Sequence, residues 1–221
     1  IVRSAAHNDT IYRNSFSTLF QEWIATDEAK RTQKSFENDF LVPFPKQPVV
    51  ITVELYDYHM RTVATMTHHV DPKDILIRRT DAIATTTYRT LLQVADTSRC
   101  IHIAFVAEGY RSDEMATYLE DCLIAIESLF QHEPFKHLKD RFNIIAVESP
   151  SVDSGTSQPS KGIWQNTALG SHFDTFYSDR YLTTLHLKRL HDVLAGTPYE
   201  HIIVLVNTDH YGGGGIYNST T

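Results

Sequence analysis

The chain has 221 residues, 42% of them apolar, and carries 27 acidic against 20 basic side chains for a formal charge of -7. That length suits one large or two small domains with a real core. The charge is spread without long blocks, which excludes an electrostatic footprint for nucleic acid or an anionic membrane surface, and no apolar stretch approaches the roughly 20 residues that span a bilayer.

The chain opens at Ile1 without a signal peptide and reads as processed or trimmed. Prolines at 43, 45 and 48 punctuate the approach to VVITVELY and TVATMTHHV, two β-branched, alternating runs joined by DYHMR as a hairpin connection. Pro72 closes the second run. Only three or four strands are visible before residue 95, where a sandwich usually has about seven. Residues 1–94 are therefore expected to form an antiparallel β-sandwich domain, incomplete at its start.

From residue 95 the pattern becomes strand, helix, strand. IHIAFVA is a near-continuous apolar run of the kind buried on both faces of a parallel sheet. Ser112 is placed to cap the next helix, whose apolar positions Met115, Tyr118, Leu119, Cys122, Leu123, Ile126, Leu129 and Phe130 share one face. FNIIAVE gives a second buried strand, TTLHLKRLHDVLAGTP a helix closed by Gly196 and Pro198, and HIIVLVN a third buried strand. Three such strands joined by helices predict a mainly parallel sheet with right-handed crossovers over residues 95–221, an α/β domain whose ligands gather beyond the carboxyl ends of the strands. Cys100 and Cys122, placed far apart along the first strand and its helix, are expected to be two buried thiols and not a disulfide.

HEPFKH, His132 to His137, mimics a zinc motif, but its histidines are five apart with Pro134 between them, so they do not share a helical face. His68 and His69 are strand neighbours and point to opposite faces. No catalytic or metal-ligating residue is assigned within the chain. Ser154, Asp179 and His210 follow the order of an α/β-hydrolase triad, yet SVDSGTS lacks the small residues of a nucleophile elbow.

HYGGGG, residues 210–215, holds four of the chain's 9 glycines. Three readings stand. A phosphate loop would need a helix N-terminus and usually a Lys, neither of which follows. The run is otherwise a plain flexible loop, or an exposed edge strand whose bare backbone pairs with an extended peptide.

FVAEGYRSDEM, LFQHEPFKHLKDRFNIIAVESPSVDSG, GSHFDTFYSDRYLTT and IIVLVNTDHYGGGGIYN occur in the order and at the spacing found in the secreted bacterial zinc metallopeptidases typified by IgA endopeptidase. The chain resembles that family over nearly its whole length, and FSTLFQEWIATDEAKRTQKSFENDFLVPFP resembles its N-terminal sandwich domain. The resemblance implies a zinc endopeptidase acting on protein or peptide substrates, located outside the cell, in the periplasm or on the bacterial surface. It also implies a zinc-binding H-E-x-x-H helix shortly after the glycines, which this sequence does not contain, so zinc is expected for the complete protein and the 221-residue chain is expected to be inactive. Tyr211, Gly212, Gly213, Gly214, Gly215 and Ile216 become the candidate substrate-binding residues. Asp174, Asp179 and Arg180 are read as loop-fixing ion pairs or hydrogen bonds, and a structural role for Glu108, Gly109 and Tyr110 fits at least as well as a binding one. The competing readings are a non-enzymatic peptide-binding module and a serine hydrolase acting through Ser154.

Overall fold

The computed structural model describes residues 1–79, 86–94 and 99–215. The chain divides into two compact units, residues 1–16 with 40–79, and residues 17–39 with the described residues from 86 to 215.

The smaller unit is an antiparallel sheet of β1 (Val2–Ser4), β2 (Thr10–Tyr12), β3 (Val49–Tyr56) and β4 (Thr62–Val70), ordered β2-β1-β3-β4. The predicted hairpin is β3–β4. Its turn is fixed locally, because the Asp57 carboxylate accepts the amides of His59 and Arg61 at 2.9 Å and meets the Arg61 guanidinium at 2.8 Å. Thr62 to His69 are all exposed, and the described residues of this unit form one four-stranded sheet.

The larger unit is built on β5 (Tyr88–Leu92), β6 (Ile101–Glu108), β7 (Phe142–Val147) and β8 (His201–Val206), ordered β5-β7-β6-β8. β6 is parallel to both β7 and β8, whereas β5 pairs antiparallel with β7, so the sheet is mixed. Helix α2 (Met115–Gln131) packs its Tyr118, Cys122 and Ile126 onto Ile103, Phe105, Ile144 and Ala146. On the opposite face Leu190 and Leu194 of α3 (Leu187–Leu194) meet Ala104, Val106, Ile145 and Val147. Alternate residues of the two central strands therefore feed two cores, and each fully buried aliphatic side chain contributes about 1.5–3 kcal/mol. A short helix, α1 (Leu19–Trp23), belongs to the same unit.

Several expectations need correction. Ser112 does not cap α2; it starts a short 3-10 turn in which the Glu114 carboxylate accepts the Arg111 amide at 2.8 Å. Leu123 is 51% exposed, because the buried stripe of α2 is narrower than its apolar stripe. β8 is not a buried strand. It closes the sheet margin, and none of its six residues is fully buried. Neither cysteine is in a disulfide, but only Cys122 is buried, its thiol pushed up to about 11 by burial. α3 starts at Leu187, later than the TTLHLKRLHDVLAGTP run suggests, and ends at Leu194; Gly196 just beyond has a φ of 79°, the left-handed turn that glycine adopts without strain.

Candidate functional site

The carboxyl end of β6 is tied to the loop at residues 167–171 by one buried carboxylate. Glu108 is completely inaccessible, and its Oε1 accepts the Thr167 hydroxyl at 2.6 Å and the Ser171 amide at 2.7 Å. Its Oε2 accepts the Leu169 amide at 2.7 Å. A buried charge with three donors around it is satisfied, and this one anchors the 167–171 loop to the end of β6. Gly109 follows with φ 75°, and a Cβ there would sit 2.2 Å from the Gly155 carbonyl oxygen. Only glycine fits. The Gly109 carbonyl accepts the Gly155 amide at 2.9 Å and the Asn207 side-chain amide at 3.1 Å, which joins the ends of β6 and β8 to the loop after β7.

Ser154 belongs to this framework. Its hydroxyl donates to Glu114 at 2.9 Å and accepts from the Asn207 side-chain amide at 3.2 Å. His210 packs its ring on Phe173, with centroids 4.7 Å apart. The hydrogen-bond partners of Ser154 are thus a carboxylate and an amide, and no imidazole is among them.

Beyond the framework, the chain from 171 to 184 folds back on itself, with His172 and Thr183 exchanging backbone hydrogen bonds at 3.1 and 3.4 Å. Asp174 sits at φ 60° and accepts the Ser160 amide at 2.8 Å, which holds its carboxyl below the usual range. Phe176 and Tyr177 are also left-handed, at φ 50° and 69°, a strained turn of the kind that concentrates at functional loops. Of the three residues read as loop-fixing, Asp174 has that role through its side chain, while the Arg180 side chain stacks on Tyr211 at 5.8 Å from the ring centroid.

The glycine run lies against this folded-back segment. Gly213 bridges in parallel to Tyr181, donating its amide to the Arg180 carbonyl at 3.0 Å and accepting the Leu182 amide at 3.3 Å. A Cβ on Gly212 would meet the Phe173 ring at 2.4 Å and the Arg180 carbonyl at 2.7 Å. One on Gly214 would meet the Tyr181 ring at 2.5 Å and the Leu182 carbonyl at 2.6 Å. Gly213 and Gly215 differ, since a Cβ on either has nothing within 4 Å, and none of the four takes the left-handed backbone. Tyr211 to Gly215 are all exposed, and Ile216 lies outside the described residues.

Two open cavities flank the run. One, of about 590 Å³, lies between it and β8, with Leu182, Leu190, Ile202 and Val204 in its wall. The other, of about 520 Å³, is bounded by the glycines with Glu22, Ser178, Arg180, Tyr181 and Tyr211. Tyr181, Leu182 and Phe173 were not readable as partners of the glycines from sequence, because DRYLTT carries no pattern that announces a bridge to a distant segment.

The residues present do not fit a catalytic zinc. Among the described residues no group of three or more His, Cys, Asp or Glu side chains is arranged to hold a metal. His132 ends α2, and His137 lies 3.0 Å from Glu133 on a separate 3-10 turn. No described helix is long and apolar enough to cross a membrane.

Residues 90–221 match the family IgA Peptidase M64, and residues 1–67 match Peptidase M64 N-terminus. No curated protein matches the chain. The first match spans the mixed sheet, the Glu108 framework and the glycine run, and it extends over more than half of the chain. This chain belongs to the IgA Peptidase M64 family, a peptidase family whose substrates are proteins.

Proposed function

We propose that the chain is the substrate-receiving portion of a secreted zinc-dependent endopeptidase, and that residues 211–216 accept an extended polypeptide alongside the glycine run. One observation carries this reading. Gly213 and Gly215 face open space with ordinary backbone, so neither packing nor conformation among the described residues calls for glycine there. A body arriving from outside and needing close approach does call for it.

The hydrogen-bond pattern supports the same reading. Gly213 commits its amide and carbonyl to Arg180 and Leu182. In an extended segment neighbouring residues turn these groups to the opposite edge, so those of Gly212 and Gly214 point toward a visitor, as strand addition requires.

In this proposal the metal ligands and the catalytic base come from segments other than the described residues. The smaller unit is read as part of a β-sandwich, with residues 1–94 as the N-terminal domain and 95–221 as the α/β domain. The protein is placed outside the cell, in the periplasm or on the cell surface. The described site alone supports peptide capture without cleavage, since it offers a place for backbone and no ligand cluster beside it.

The test uses the 221-residue chain with an unfolded protein substrate and with a labelled extended peptide. It should bind the peptide and cleave nothing. Robust chelator-sensitive cleavage would overturn the assignment of the metal site to other segments. Absence of peptide binding would overturn the glycine site.

A further inference from the structure

We infer that Arg180 selects for a carboxylate in the bound strand, so that the site prefers polypeptides with an Asp or Glu side chain beside the glycine run. The inference rests on the proposed peptide site and assigns it a charge preference. Arg180 is exposed, borders the 520 Å³ cavity together with all four glycines, and lays its guanidinium over the ring of Tyr211, itself 79% exposed.

Among the described residues Arg180, like exposed Lys46, Lys73 and Lys136, makes no ion pair, so no carboxylate of these residues occupies its guanidinium. Its guanidinium is therefore open to an acceptor that a visiting strand brings into the cavity. The stacking matters. A guanidinium held over an aromatic face at this distance keeps N–H groups for an acceptor, and its planar fork matches a carboxylate through two parallel hydrogen bonds.

Glu22 borders the same cavity but does not pair with Arg180. It lies by Tyr181, whose hydroxyl pKa is raised by burial and then by the Glu22 carboxylate. The cavity thus holds a positive and a negative group at different places, and the preference for an acidic side chain is confined to positions that reach the Tyr211–Arg180 platform. At the Glu22 side an acidic residue is repelled.

The test is fluorescence anisotropy on the full chain with labelled decapeptides of Ser, Thr and Val, each carrying a single Asp, Asn or Lys at successive positions. At one or two positions the Asp peptide should bind about five- to tenfold more tightly than the Asn peptide, and the advantage should shrink at about 1 M salt. Arg180→Gln should bring the Asp-to-Asn ratio to about one, Arg180→Lys should restore part of it, and Arg180→Glu should shift preference to Lys. The main-chain groups of Arg180 that hold Gly213 survive all three substitutions. A purely structural Arg180 would weaken every peptide alike and leave the ratio unchanged, and that result overturns the inference. Wild-type binding that ignores charge also overturns it while leaving the peptide site standing. Failure of every peptide to bind removes both.

Discussion

FNIIAV and HIIVLV, the strands β7 and β8, are written in nearly the same letters, yet every residue of the first is buried and none of the second is. Their places in the sheet account for this. β7 has β5 on one side and β6 on the other, with helices over both faces, while β8 has β6 alone and the glycine run beyond it. An apolar run states that a strand has something to bury; it does not state how much cover the fold supplies. The interior of the sheet is fully covered, and its β8 margin is left partly open.

The sharpest way to break this contrast is at Glu108, on the covered side. Glu108→Ala leaves the Thr167 hydroxyl and the amides of Leu169 and Ser171 buried without an acceptor, and should cost about 3–5 kcal/mol in chemical denaturation. A loss under about 1 kcal/mol would mean the framework is not held from this point. Next comes the pair of strands themselves. Ile144, completely inaccessible, should lose about 2–5 kcal/mol on replacement by Ala, and Ile203, 39% exposed, about 1 kcal/mol or less. Equal losses would erase the distinction between interior and margin.

The glycines sharpen the contrast within one segment. Gly214→Ala forces a methyl into the Tyr181 ring and the Leu182 carbonyl and should destabilise by about 1–3 kcal/mol, whereas Gly213→Ala should stay within about 0.5 kcal/mol of wild type. Gly213→Ala should nonetheless weaken peptide binding, separating what the fold needs from what the visitor needs. The smallest effect lies at α3. Burial holds the His191 pKa below its ordinary value, so the unfolded chain takes up a proton that the native chain refuses. Stability should therefore be intact above about pH 6.5 and decline as pH falls below it, and His191→Gln should flatten that decline between urea melts at pH 7 and pH 5.5.

The sequence disclosed those parts whose signal is carried by their own residues. The β3–β4 hairpin, β6, β7, α2 and α3 are long or periodic enough to announce themselves. β1 and β2 have three residues each, too few for alternation to register, and β5 is defined by its pairing with β7, which YRTLL alone does not specify. The same limit governs the site. Four consecutive glycines mark their own location, but the division of roles between Gly212 and Gly214 on one hand and Gly213 and Gly215 on the other is set by Phe173 and the 180–182 segment. That segment meets the run only in three dimensions. Arg180 fixes the loop through the hydrogen bond its carbonyl accepts from Gly213, and neighbouring letters do not reveal that its guanidinium lies over Tyr211.

The clasp between Gly213 and the Arg180–Leu182 backbone also bears on how the proposed capture would proceed. Four glycines on a free tether would have to be straightened at the moment of encounter, and they lose more freedom than any other residues when that happens. Here the run is already clasped at Gly213 by the backbone of Arg180 and Leu182. In the proposed capture a guest strand would then bring mainly its own disorder to be lost, with little rearrangement of the host beforehand.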